Sequence, residues 1–425
     1  MVVLATKEAI LAAEPPEWGA MLLTTLDTVR LRRARAAVFG VFAVNGFLLA
    51  AWVVHIPAIS ERTGISHATL GWLLLVLAGA ALIGMQIAGP LADRWGSKPM
   101  VGAAGLLLSA GAIGPGLATD TVTLAAALAV FGLGNGALDV SMNSQAVHVE
   151  RAYGRPIMSA FHALFSLGGV VGSLLGAATL AAGWSPLTAL SGAAALGAVL
   201  ILACVPMLLP HEHHSAPQHP AGAAASGRTP TAKILTLGAI AFAVFLAEGA
   251  ANDWSTLQVK EHLGTSESTA ALAFGAFAVM MTVGRLTADR VAATFGPVAV
   301  VRYGTLIAAV GLTAVIASVW VPLTLAGWAL FGLGLSGCIP QIFTAAGNLH
   351  GGAPGVNMSR VVGMGYIGLL AGPALLGWLT HLMPLTATLV VPLVIVLLAS
   401  WFAGQVRPAT SGADIADENA SEPTA

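Results

Sequence analysis

The chain is one half written twice. Phe131-Gly132-Leu133-Gly134 recurs as Phe331-Gly332-Leu333-Gly334; at the same offset Met158-Ser159 matches Met358-Ser359, Gly168 matches Gly368 and Gly172 matches Gly372. A looser pair lies upstream, Gly89-Pro90-Leu91-Ala92-Asp93-Arg94 and Gly284-Arg285-Leu286-Thr287-Ala288-Asp289-Arg290. Both copies are apolar almost throughout. Of 425 residues, 57% are hydrophobic and 9% are charged, whereas a soluble domain carries roughly a quarter charged residues. Such a chain cannot cover itself with solvated side chains, and a net charge of −1 excludes an electrostatic case for nucleic acid. The 50 glycines suit helices that pack closely in a membrane. A duplicated membrane bundle is the plan of a secondary transporter, with its solute site where the halves meet.

Twelve helices of about 20 apolar residues and short loops account for about 400 residues. Hydropathy places the spans at 36–59, 69–92, 100–119, 121–147, 157–181, 184–209, 234–259, 268–290, 297–319, 321–346, 356–380 and 383–404. This predicts an all-α membrane protein with two pseudo-symmetric six-helix halves, 36–209 and 234–404, joined by a polar linker over 210–233. A cytoplasmic N-terminal extension, 1–35, and a cytoplasmic tail, 405–425, complete the chain. No early apolar run suggests a cleavable signal, and the apolar pattern begins only near Ala36, so Met21 is an alternative start to Met1. With both termini cytoplasmic, all of the 18 Lys and Arg except Arg62 and Lys260 fall on the cytoplasmic side or at its membrane edge. Insertion produces this bias, and it puts both ends of a twelve-span chain in the cytoplasm.

Asp93 ends the second span, at a helix C-terminus where the dipole disfavours an anion, so it needs a partner such as a cation or another helix's N-terminus. The stretch Gly89-Pro90-Leu91-Ala92-Asp93-Arg94-Trp95-Gly96-Ser97-Lys98 resembles the loop signature of the major facilitator superfamily. The resemblance spans the whole chain: twelve spans, a central linker and the signature in both halves. It implies the major facilitator fold and a latch that closes the cytoplasmic faces of the halves when the site opens outward. Asp93, Arg94 and Lys98 would form this latch, with Asp289 and Arg290 as a weaker second copy. Residues 134–176 and Phe245-Leu246-Ala247-Glu248-Gly249-Ala250-Ala251-Asn252-Asp253-Trp254-Ser255 resemble the fucose-permease-like branch, and within it the bacterial group that includes the inner membrane protein YbjJ. That branch implies proton-coupled sugar symport with acids on spans one and four. Here span four offers Asp139, while span one carries Asn45 and no acid.

A charged side chain in the bilayer centre costs about 2.5–3.5 kcal/mol on insertion scales, so acids persist there when paired, wet or functional. Asp139 shares a helix face with Asn135 and Asn143. Glu248 lies near the middle of span seven, with Asn252 one turn on and Asp253-Trp254 nearer the outer mouth. Asp139 and Glu248 are candidates for binding proton or solute, or are acids neutralised by a neighbour; Asp253 suits solute binding or simple solvation. Asn45 and His162 belong to helices that line the cavity in the resembled family, and Trp254 could stack on a sugar ring. Gly168, Gly172 and Gly176 on span five, and Gly368 and Gly372 on span eleven, are spaced for close helix packing. Span five lacks the Gly-Pro pair that marks many antiporters of the resembled family, and span eleven has one, Gly372-Pro373, which favours symport or uniport.

Cys204 and Cys338 lie far apart in apolar segments and read as core residues. His211, His213, His214 and His219 occupy a linker without fixed geometry, so no metal or other cofactor is predicted. Gly363-x-Gly365-x-x-Gly368 follows no strand and begins a span, so it reads as packing glycine. No hydrolase, zinc-protease or P-loop motif is present, and no enzyme activity is expected. The expected activity is transport of a small polar solute, a sugar or related metabolite, by a monomer working through alternating access with protons. The alternatives are a proton-driven efflux antiporter for drugs or metabolites and a non-transporting membrane sensor.

Overall fold

The computed structural model describes residues 17–210, 231–349 and 353–407. Most of the expected linker and tail, the four linker histidines and residues 1–16 lie outside the described residues. Among those described there are helices and no strands, and twelve helices are long and apolar enough to cross a membrane. In chain order they are α1 (Thr28–Thr63), α2 (Thr69–Trp95), α3 (Ser97–Leu117), α4 (Thr121–Tyr153), α5 (Met158–Ala181), α6 (Pro186–Met207), α7 (Thr231–Leu263), α8 (Leu272–Phe295), α9 (Pro297–Ala317), α10 (Val321–Gly347), α11 (Pro354–Leu379) and α12 (Leu385–Val406). An even number of crossings puts the start of α1, the end of α6, the start of α7 and the end of α12 at one end of the bundle, here called the termini end.

The duplication is visible in the packing. In the first half α1 packs on α5 and α6, and α4 on α2 and α3; in the second, α7 packs on α11 and α12, and α10 on α8 and α9. The turns repeat as well. Ser66 and Ser266 each accept a hydrogen bond from the backbone N–H three residues on, 3.1 Å to Thr69 and 3.3 Å to Thr269, satisfying a helix-start donor. Gly96 and Gly296 end α2 and α8 at φ 92° and 81°, a region costly for residues with a Cβ. Where the halves meet, α2 lies against α11 and α5 against α8, related by the same pseudo-two-fold.

Three helices depart from the hydropathy spans for local reasons. The helix containing α1 begins at Glu17, because no proline interrupts residues 17–35 at the expected membrane edge. The helices of α2 and α8 run on to Trp95 and Phe295, where the glycine turns stop them, a turn beyond expectation. α10 is broken at Ser336-Gly337, between Val321–Leu335 and Cys338–Gly347. Pro340 has no N–H to donate to Ser336 and its ring crowds that carbonyl, which opens the helix one turn upstream.

The spaced glycines hold the helices of each half together. A Cβ on Gly168 would collide with the backbone of Ala43 in α1, and one on Gly368 with the backbone of Phe242 in α7. Gly172 and Gly372 repeat the contact one turn on, against Phe47 and Leu246, while Gly176 faces the side chain of Val54. Without a hydrophobic force between helices in lipid, this backbone proximity supplies the packing energy. Gly168→Val is therefore expected to lower the thermal midpoint of the purified protein by the equivalent of about 1–3 kcal/mol. Gly192→Val, at a position with open space beside it, should leave the midpoint unchanged; equal midpoints for the two variants would contradict this packing.

Candidate functional site

At the termini end, carboxylates of each half reach backbone donors of the other. Asp93, in the last turn of α2, accepts hydrogen bonds from Gly355 N (2.6 Å) and Val356 N (2.9 Å) in the first turn of α11. Asp289, in α8, accepts from Ser159 N (2.8 Å) and Ala160 N (2.7 Å) at the start of α5. The first N–H groups of a helix have no partner within it and carry the positive end of its dipole, so a carboxylate there satisfies donors and charge together. Pro354 lacks an N–H, which is why the free donors of α11 begin at Gly355. The two copies have the same geometry, so the second is no looser than the first.

Other groups close this end. Glu150, in the last turn of α4, accepts from Ile157 N and Met158 N (both 2.8 Å) through Oε2, and from the Thr344 hydroxyl of α10 (2.7 Å) through Oε1. Glu150 and Asp289 together satisfy four successive N–H groups around the start of α5. Arg151 donates to Gly347 O and Asn348 Oδ1 across the same boundary, and Gln86 Nε2 donates to Ser359 O at 3.1 Å. Three residues of the expected latch stay on their own half. Lys98 donates to Pro206 O (2.9 Å) and Leu208 O (3.1 Å) at the end of α6. Arg94 is exposed with its guanidinium 5.8 Å from the Trp95 ring centre, and Arg290 is exposed.

Deeper in the bundle, polar side chains from both halves converge. Asp139 on α4 is buried, with Oδ2 unpartnered; Asn143 Nδ2 donates to its backbone carbonyl (2.9 Å) and to Oδ1 (3.4 Å). Asn135 is buried one turn away, and Asn45 of α1 donates to Met142 Sδ at 3.7 Å, which brings it to the same face of α4. Within the second half, Glu248 of α7 pairs with Arg285 of α8 at 3.5 Å. Arg285 Nη1 also donates to Ser166 Oγ of α5 at 2.6 Å, tying the halves together at this depth. Tyr366 of α11 lies within Coulombic range of both Asp139 and Glu248.

Aromatic rings form a layer through this region. His162 lies 5.3 Å from Phe42 and 6.0 Å from Phe343, Phe343 lies 6.2 Å from Phe245, and Phe245 lies 5.7 Å from Tyr366, all between ring centres. His162 thus touches rings of both halves, Phe42 of the first and Phe343 of the second, with its Nε2 buried and without a hydrogen-bond partner. Asn252 and Asp253 are exposed, further along α7 from the termini end. Trp254 turns its ring onto Gly377 of α11, 3.1 Å from where a Cβ would stand there. Cys204 and Cys338 are buried and unpaired.

Arg285, Ser166, Tyr366, Glu150 and Thr344 were not singled out from the sequence. Arg285 had been grouped with the basic residues of the membrane edge. Because α8 continues to Phe295, it lies nearly three turns inside the helix end, beside Glu248. Its spacing of four from Asp289 was the available signal, since that puts both on one face of α8.

The family model of the Major Facilitator Superfamily matches residues 37–253 and 235–423. An uncharacterised MFS-type transporter of Yersinia pestis is 36% identical over 347 residues, covering 81% of this chain and 88% of the relative. Among solved structures, FucP, the E. coli fucose:proton symporter, superposes in its outward conformation with a TM-score of 0.73 at 16% identity, over 88% of this chain and 98% of that one. The human organic anion transporter MFSD10 superposes with a TM-score of 0.67 at 15% identity, over 88% and 99%. With its twelve helices in two six-helix halves and this match along nearly its whole length, the chain belongs to the Major Facilitator Superfamily, a family of membrane transporters and not of enzymes.

Proposed function

We propose that the protein moves a small polar solute across the bacterial cytoplasmic membrane by alternating access, coupled to protons, with the termini end facing the cytoplasm. The observation that carries this reading is the convergence of Asp139, Glu248, Arg285 and Tyr366 between the halves, above an end closed by Asp93 and Asp289. Among the described residues, the Lys and Arg gather at the termini end apart from Arg62, Lys260 and the interior Arg285, which supports the orientation. Arg62 donates to Gly116 O (2.9 Å) and Pro115 O (2.8 Å) at the far end of α3. In this reading the cytoplasmic end is latched and the site opens outward, which the likeness to FucP in its outward conformation supports. The fucose-permease-like branch, including the YbjJ group, is the part of the family this reading favours, and the protein acts as a monomer without cofactor.

Asp139 is the proton carrier in this scheme. It is an acid in an apolar site with one oxygen unpartnered, free to take a proton when the site faces outward and to lose it when the site faces inward. Asn45, Asn135 and Asn143 bind the solute beside it, and rocking of the halves about α2–α11 and α5–α8 moves the opening from one side to the other. Proteins solved in this fold include a fucose:proton symporter and an organic anion transporter, so the fold itself does not fix the charge of the solute.

Two outcomes follow. In proteoliposomes carrying an internal pH dye, solute addition should acidify the lumen with wild-type protein, and Asp139→Asn should reduce this proton flux at least about tenfold while solute exchange between equal pools persists. Unchanged proton flux in Asp139→Asn would remove it from the relay, and alkalinisation of an acid-loaded lumen would indicate antiport. Asp93→Asn together with Asp289→Asn removes the latch charges, each making hydrogen bonds typically worth about 1.5–3 kcal/mol. Spin labels at Arg155 and Phe295, exposed at the termini end of opposite halves, should then show a longer inter-label distance as the major population. An unchanged distance distribution would mean that the carboxylates do not set the state.

A further inference from the structure

We propose that Arg285 is the anion anchor of the solute site and that the solute is a hydroxylated carboxylate, a sugar acid and not a neutral sugar. The proposal rests on the transporter reading for movement across the membrane, but not for binding.

Arg285 lines a cleft of about 390 Å³ between α5 and α8, whose walls also carry the hydroxyls of Ser166, Ser173 and Thr282. An arginine inside a membrane bundle is kept where it is paired or functional, and the pairing of this one is incomplete. Nη1 is taken by Ser166 of the other half. Nη2 meets one Glu248 oxygen at 3.5 Å, longer than the ~2.7–2.9 Å of a full charge-assisted hydrogen bond. Nε is buried with no partner. The guanidinium edge formed by Nε and Nη2 is the one that accepts a carboxylate through two parallel hydrogen bonds. Arg285 borders a cleft large enough for a small solute, and this edge of it is held by a single long contact.

The polar residues of α1 and α4, buried in the first half, have the opposite character. Asn45 Oδ1, Asn135 Oδ1, Asp139 Oδ2 and Asn143 Oδ1 are buried acceptors without partners, and buried acceptors are costly unless they receive hydrogen bonds. One half thus presents acceptors, which suit hydroxyl groups, and the other presents a guanidinium edge, which suits a carboxylate. A polyhydroxylated acid satisfies both; a neutral sugar leaves Arg285 with Glu248.

Docking of the solute carboxylate on Arg285 displaces Glu248. The other groups acting on Glu248 are Cys338 of α10 and Tyr366 of α11, and Asp139 of α4 acts on the same tyrosine; none offers a positive charge. His162 of α5 packs against the rings of Phe42 and Phe343. The proton that balances the docked anion is the one carried by Asp139, which forms one O–H bond as hydronium becomes water. One anion and one proton then enter the site together, without net charge.

The test uses the full chain in lipid nanodiscs, with thermal shift and binding titrations against D-gluconate, D-glucuronate, acetate, D-glucose and D-glucitol. Gluconate or glucuronate should stabilise the wild type, and the two uncharged solutes should not. Glu248→Gln frees the guanidinium and should bind carboxylates, acetate included, at least about tenfold more tightly. Arg285→Lys keeps the charge but loses the two-bond geometry and should bind at least about tenfold more weakly, and Arg285→Gln should not bind. Equal stabilisation by glucitol and gluconate, or failure of every carboxylate to bind Glu248→Gln, would overturn the proposal. Carboxylate binding without solute counterflow in proteoliposomes would retain the anchor and overturn the transport reading. Counterflow of glucose alone would do the reverse.

Discussion

The structure depends on four carboxylate-to-backbone hydrogen bonds that cross between the halves. Asp93 on the start of α11 and Asp289 on the start of α5 join two six-helix bundles that also meet through the His162–Phe343 ring contact and other polar bonds such as Arg285–Ser166. Each bond satisfies a donor the helix cannot satisfy itself, so the carboxylate and the helix end are both unpaired when they separate. Such an interaction is strong when made and costly when broken without a substitute, the property a two-state interface requires. The pseudo-two-fold explains why there are two: a sequence written twice places the same acid opposite the same helix start in each direction.

The asymmetries between the copies carry the chemistry. At the start of α5, Glu150 of the same half already holds Ile157 N and Met158 N, leaving Ser159 N and Ala160 N for Asp289. In the buried interior the acid on α4 is unpaired, while the acid on α7 faces an arginine that also holds the other half. A symmetric scaffold thus carries unpartnered buried acceptors in one half and a cation in the other. Movement of α8 relative to α5 would break the Arg285–Ser166 contact and the Asp289 bonds together, which links the occupancy of the site to the closure of the end.

The fold was almost wholly legible, because repeats and apolar runs are properties of the chain in one dimension. Asp93 and Asp289 were legible too: an acid at a helix C-terminus is out of place unless something across the interface needs it. Arg285 was hidden because hydropathy judged its depth from a span taken to end near residue 290, whereas the glycine turn at Gly296 lets the helix run a turn further. Glu150 was hidden for a related reason, since an acid near the end of an amphipathic stretch looks solvated until the next helix is seen starting on top of it. Lys98, Arg94 and Arg290 share the motif with the latch acids, but spacing along a chain does not reveal which half a long side chain will touch. The break in α10 follows from Pro340 alone, yet hydropathy averages over it.

Hydrogen exchange of the backbone, compared between wild type and the Asp93→Asn, Asp289→Asn double variant in nanodiscs, tests the central claim most directly. If the carboxylates hold one of two global states, exchange should rise at Ser159, Ala160, Gly355 and Val356 and fall at the opposite ends of α1 and α7, where the halves would close. If exchange rises at those four amides and nowhere falls, the carboxylates are local caps, and the interface is not the switch described here.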